Sequence, residues 1–117
     1  MTIKLDKKYD VKTTLGTIRE IEKTFKKGFF DIITDIASMQ IDDQMRFLFA
    51  GVKKAGAEID ENKFIELCED NIGIGELMEY IEQYIFALQY PGLSVEEVQQ
   101  KLEKKLQSVE TLQVQKK

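Results

Sequence analysis

The chain contains no histidine. That removes the commonest general base and the commonest metal ligand together, and with them most catalytic templates. There is one cysteine, Cys68, so no disulfide can form within the chain and no Cys–His nucleophile can be assembled. Cys68 stands among Phe64, Ile65 and Leu67, the setting of a small buried hydrophobe, and a reducing compartment is the natural inference. The single proline, Pro91, leaves no Pro-rich linker, and there is neither an internal repeat nor a low-complexity tract. Long apolar runs are absent too. No segment approaches the roughly 20 apolar residues needed to span a bilayer, and the first residues lack an apolar stretch of signal-peptide length. Positive charge is in deficit, with a net charge of −4 and a pI near 5.0, so the whole molecule offers no field that would draw nucleic acid. A cytoplasmic protein with neither membrane nor nucleic-acid partner is the expectation.

What the chain does have is the composition of a globular domain: 117 residues, 43% hydrophobic and 32% charged. That length suits one core. The charge is uneven. Residues 1–27 carry eight Lys/Arg against four Asp/Glu, whereas residues 58–82 carry nine Asp/Glu against Lys63 alone. The acidic stretch reads either as a solvated face or as a surface that meets a basic partner.

Ile3 and Leu5, then Tyr9 and Val11, alternate with polar residues around Asp6-Lys7-Lys8, which predicts a short β-hairpin with one buried face. Leu15, Ile18, Ile21 and Phe25 recur at helical spacing after Thr13-Thr14, with Gly28 as a left-handed stop, so a first helix is expected over 14–27. Phe29, Ile32, Ile33 and Ile36 form the stripe of a short second helix ending near Ser38. The third starts at Asp42 or Asp43, buries Met45, Leu48, Phe49 and Val52, and stops at Gly56. Asp60 caps a fourth over about 61–70, with Ile59 stapling onto Phe64. After the two glycines of 71–75, a fifth carries Leu77, Ile81, Tyr84, Ile85 and Leu88 until Tyr90-Pro91-Gly92 breaks it. Ser94-Val95-Glu96-Glu97 is a capping box that opens a sixth, with the narrow stripe Val98, Leu102, Leu106 and Val109. The expected fold is α+β, mainly α: an N-terminal hairpin and five or six helices. Residues 1–92 form the core domain, and 93–117 an amphipathic helix that packs as an arm or protrudes.

The remaining chemical motifs fail on spacing. Adjacent carboxylates such as Asp42-Asp43 and Glu69-Asp70 point in different directions on a helix. The acidic run 57–70 lacks the ligand spacing and central glycine of a calcium loop, and Ile72-Gly73-Ile74-Gly75 is followed by no Gly-Lys-Ser/Thr. No catalytic, cofactor or metal residues emerge, and an enzyme is not expected. What stands out is apolar surplus. Phe47, Met78, Tyr80, Phe86 and Tyr90 lie off the main stripes. A helix apolar on more than one side is either surrounded by its neighbours or presents a face to a partner.

The hairpin IKLDKKYDVKTT, the helix LGTIREIEKTF, and the segments GFFDIITDIASM, FLFAGVKKAG and EIDENKFIELCED, in that order over residues 2–90, resemble the tail assembly chaperones of long-tailed, non-contractile bacteriophages. Leu15, Ile18 and Ile21 match one family pattern, and Phe47, Leu48, Phe49, Ala50 and Gly51 another. The turn Asp6-Lys7-Lys8, where many relatives have glycine, and the polar segment from Ser94 depart from it. The resemblance implies a non-enzymatic protein of the host bacterial cytoplasm, without cofactor. It would bind the helical tape-measure protein, keep it in solution until tail-tube protein polymerises around it, and be absent from the mature virion. It further implies a longer, frameshifted form that recruits tail-tube protein, and self-association into a ring or spiral around the client is an added expectation. The candidate client-contact residues are Phe47, Met45, Met78, Phe86 and Tyr90. A structural component retained in the tail and an acidic regulator of a basic protein are the alternatives.

Overall fold

The computed structural model describes residues 1–91. The expected sixth helix and the unit 93–117 lie outside the described residues. Strands β1 (Thr2–Lys4) and β2 (Lys8–Asp10) pair antiparallel, Ile3 opposite Tyr9. Five α-helices follow: α1 (Leu15–Phe25), α2 (Phe29–Asp35), α3 (Ile41–Lys54), α4 (Glu61–Asn71) and α5 (Ile74–Gln89). A 3-10 turn, Ile36–Ser38, extends α2. The fold is mainly α with a small β element.

The hairpin buries the side chains its alternation marks: Ile3, Leu5, Tyr9 and Val11. Its turn closes without glycine. Leu5 N–H bonds the Lys7 carbonyl at 2.9 Å, the Tyr9 hydroxyl donates to Asp6 at 2.8 Å, and no residue of the turn has positive φ. A three-stranded or helix-covered context is what stabilises so small a hairpin, and here α3 supplies it.

Helix α1 departs from expectation at both ends. Lys26, not Gly28, takes the left-handed conformation (φ 55°), with its N–H on the Glu22 carbonyl at 2.8 Å. Gly28 instead precedes α2, whose first N–H groups need partners. The Glu22 carboxylate supplies one, accepting from Phe29 N–H at 2.9 Å. The buried face of α1 also differs from its apolar stripe. Thr17 and Ile21 are the buried residues, because the Thr17 hydroxyl donates to the Lys12 carbonyl at 2.7 Å and turns that side inward. Leu15, about 120° around the helix from Ile21 at 3.6 residues per turn, is left outside and is 77% exposed.

Helix α3 is the centre of the fold, touching α1, α4, α5 and β2. It starts at Ile41 rather than at Asp42 or Asp43, and both carboxylates fall in its positive first turn while Lys53 and Lys54 fall in its last. Its expected stripe, Met45, Leu48, Phe49 and Val52, is buried, and so are Gln44, Phe47, Ala50 and Gly51. Three consecutive large residues, Phe47 to Phe49, sweep about 200° of a helix. They can all be buried only if neighbours stand on several sides, which is what these contacts provide.

Gly51 is the closest approach. A Cβ there would lie 2.5 Å from Val11 Cγ1, 2.8 Å from Tyr84 Cε1 and 3.1 Å from the Lys12 carbonyl oxygen. The Gly51 carbonyl accepts both from Ala55 N–H in its own helix, at 3.1 Å, and from Lys12 N–H, at 2.9 Å. The chain leaving the hairpin therefore docks on the backbone of α3, where a side chain would hold it off.

Asp60 caps α4, its carboxylate accepting from Lys63 N–H at 2.7 Å. Arg46 of α3 bridges Asp43 (2.9 Å) and Glu61 of α4 (3.3 Å). Gly73 precedes α5, with Glu76 reaching back to its N–H at 3.5 Å. Leu77, Ile81, Tyr84 and Leu88 face the core.

Candidate functional site

The five candidate contact residues do not form one surface. Phe47 is 0% exposed and packs edge-on against Tyr84, ring centroids 5.1 Å apart. Its expected place on a client-contact surface is corrected: α5 crosses the side of α3 that a one-faced helix would leave open, and Phe47 fills that contact. Met45 is also buried, at 3% exposure, beneath a small dimple of about 160 Å³ rimmed by Ile41 and Ile74. Met78 and Phe86 on α5 and Tyr90 at its end are half-buried, and Tyr90 lines a larger concavity.

That concavity is a groove of about 680 Å³ between the first turns of α1 and α2 and the last turn of α5, lined by Leu15, Ile18, Phe29, Phe30, Leu88 and Tyr90. Phe30 is 72% exposed and meets Phe29 edge-on at 5.6 Å, while Phe29 is buried. Leu15, from α1, also lines it, exposed for the reason given above. Glu22 and Asp31 add carboxylates to the lining. A second concavity, of about 480 Å³, is bounded by Arg19, Glu20, Glu22, Lys23 and Lys54 and so is charged rather than apolar.

Sequence reading missed Leu15 and Phe30. Leu15 lies on the α1 stripe and reads as core, and only the hydroxyl bond of Thr17 reverses that. Phe30 carried a signal that could have been used: it is a second large aromatic beside Phe29, and the stripe Phe29, Ile32, Ile33, Ile36 has no room for it.

The rest of the surface carries little chemistry. Eight of the nine carboxylates in 58–82 are exposed, Glu61 being the half-buried exception. Cys68 is buried, and desolvation pushes its thiol up to about 12. Among the described residues no three His, Cys, Asp or Glu side chains converge on a metal position, and no helix is long and apolar enough to cross a membrane. No protein-family model matches the chain, and the comparisons with curated proteins and with solved structures found no match.

Proposed function

We propose that this protein is a tail assembly chaperone of a long-tailed bacteriophage or prophage, acting without catalysis in the host cytoplasm and absent from the finished particle. Its client is the tape-measure protein, whose helices carry apolar faces that need covering until tail-tube protein assembles around them. A longer, frameshifted form of the chain would bring tube protein to the complex. The observation that carries this reading is the groove of Leu15, Ile18, Phe30 and Tyr90, apolar within and bearing the carboxylates of Glu22 and Asp31, the form a surface takes when it accepts an amphipathic helix.

The energetics suit a client that must later leave. Fully covering a Leu or Phe side chain is worth about 1.5–3 kcal/mol, so Leu15 and Phe30 together give a few kcal/mol, comparable to the cost of association itself. One copy would bind weakly. Many copies along one long helical client would hold it through avidity, and growth of the tube could displace them one at a time. The exposed carboxylates of 58–82 would keep such a complex dispersed.

The test is co-expression with the tape-measure protein of the same genome. The client stays in the soluble fraction with the wild-type chain and precipitates with a Leu15→Asp/Phe30→Asp variant. Equal precipitation with and without the wild-type chain refutes the proposal. Mass spectrometry of purified virions separates it from a retained tail component, since a chaperone leaves no peptide there.

A further inference from the structure

Three helix ends border one small apolar hollow. The start of α3, the end of α4 and the start of α5 form the dimple of about 160 Å³, lined by Ile41, Met45, Cys68, Ile72, Ile74 and Leu77. Met45, Cys68 and Leu77 are buried, whereas Ile41 and Ile74 are 44% and 59% exposed. An apolar cavity of roughly 150 Å³ takes one benzene-sized group, so the dimple has the size for a single leucine or phenylalanine side chain. It lies at the opposite end of α5 from Tyr90 and the groove, roughly 24 Å along the helix axis.

The charge around it is of one sign. Residues 64–82 carry Glu66, Glu69, Asp70, Glu76, Glu79 and Glu82 and no Lys or Arg, and residues 28–45 carry no Lys or Arg either. Glu69 lines the dimple, and Glu76 accepts from the N–H of Gly73, another lining residue, at 3.5 Å. The basic residues nearest in sequence are engaged: Arg46 bridges Asp43 and Glu61, and Lys63 lies 3.9 Å from Glu66. Asp42, Asp43 and Glu76 fall in the first turns of α3 and α5, where the helix dipole favours negative charge. Glu69 and Asp70 do the reverse. Both are exposed at the end of α4, whose last turn holds no basic residue, so they face the negative end of its dipole. That placement is unfavourable until a cation approaches from outside. Among the described residues no three carboxylates converge on one point, so separate cationic groups along a chain match this surface better than a single metal ion does.

We propose that the dimple is a second docking site, for a basic segment of a partner protein. That segment inserts one leucine or phenylalanine side chain between Ile41 and Ile74 while its flanking Lys or Arg side chains approach Glu69, Asp70 and Asp42. The apolar insertion selects the segment, and the carboxylates speed the encounter and repel acidic competitors. The site is separate from the groove and stands independently of the chaperone reading.

The experiment titrates the full, isotope-labelled chain with a synthetic pentapeptide that has leucine between two pairs of lysines, and follows amide chemical shifts. Residues 41–45 and 69–77 shift, while 15–18 and 28–31 in the groove do not. Replacing the peptide's leucine by alanine weakens binding about tenfold or more, as loss of a buried leucine requires. Ile74→Gln has the same effect and keeps the fold, since Ile74 is largely solvated. Raising the ionic strength from about 0.05 M to about 0.5 M weakens binding as well. Glu69→Lys/Asp70→Lys abolishes binding yet raises the thermal midpoint, because the lysines suit the end of α4. An alanine-centred peptide that binds equally well overturns the proposal, since charge alone would then be acting. So do shifts spread over the whole acidic surface, no shifts at all, or a lowered midpoint in the double-lysine variant. Shifts at 41–45 and 69–77 on concentrating the protein without peptide would assign the dimple to a second copy of the chain, and overturn it too. No tape-measure protein is present, so failure here leaves the chaperone reading intact, and a client that precipitates in co-expression leaves the dimple site intact.

Discussion

The ring of Tyr84 lies against the backbone of Gly51 so closely that a methyl group on Gly51 would stand 2.8 Å from Tyr84 Cε1. Gly51→Ala therefore forces α5 or the hairpin exit to move. Overpacking of this kind costs about 1–3 kcal/mol, against the roughly 1 kcal/mol that alanine gains over glycine within a helix. A lowered urea midpoint is the expected result. A raised midpoint would mean that α5 and Val11 yield without loss.

Tyr84 and Phe47 separate two kinds of core energy. The Tyr84 hydroxyl is enclosed and makes no hydrogen bond of ordinary geometry, its polar neighbour being the Gly51 backbone, and burial raises its pKa with that backbone contact opposing. Tyr84→Phe removes an unsatisfied polar atom that costs about 1–3 kcal/mol to bury, so stability holds or rises. Phe47→Ala opens a cavity and costs about 3–5 kcal/mol, enough to unfold a large fraction of a small domain. Thermal denaturation of the two variants checks both signs, and equal midpoints would contradict the packing described.

Substitutions at the groove should behave in the opposite way. Leu15→Ala and Phe30→Ala touch side chains that are mostly solvated, so each should shift stability by no more than about 0.5 kcal/mol while weakening client protection. If either lowers stability as much as Phe47→Ala does, its side chain is covered in solution by something that matters to folding.

Glu20 supplies a pH dependence. Its hydrogen bond to Lys53, at 2.8 Å, holds its pKa below the ordinary carboxylate value of 4.5, desolvation opposing and Lys54 and Lys23 assisting. A carboxylate with a lowered folded pKa contributes stability that is present above its unfolded pKa and lost as pH falls through the folded one. Because Lys53 is largely exposed, the contribution is under about 1 kcal/mol. Wild type and Glu20→Gln should differ above pH 5 and converge as the pH falls well below 4.5. A difference that persists at low pH would point to a role other than charge.

Local pattern made much of this fold legible. The alternation of Ile3, Leu5, Tyr9 and Val11 marked the hairpin face, and the Asp60 cap and Gly73 set boundaries within a residue or so, whereas Gly75 falls inside α5 rather than before it. What escaped depends on tertiary contacts. A one-helix view gave α3 a single buried stripe and so misread Phe47, whose environment is made by α5, a segment distant in sequence. The same view put Leu15 inside, because nothing in periodicity weighs one Thr17 hydroxyl bond to Lys12 against a leucine. Gly28 drew the helix stop that Lys26 makes, and only Glu22 reaching Phe29 explains why the glycine serves the next helix. Of the residues lining the groove, Tyr90 was marked by its place off the α5 stripe, and Leu15 and Phe30 were not.

The bond from Lys12 N–H to the Gly51 carbonyl also sets an order in time. On the ribosome the hairpin is made before its docking surface, α3, which emerges only after α1 and α2. At roughly 5–20 residues per second the interval is several seconds, and a lone hairpin is barely stable in water. Throughout it Ile3, Leu5, Tyr9 and Val11 have no α3 to cover them. The nascent chain thus passes through the hazard from which we propose the finished protein protects its client.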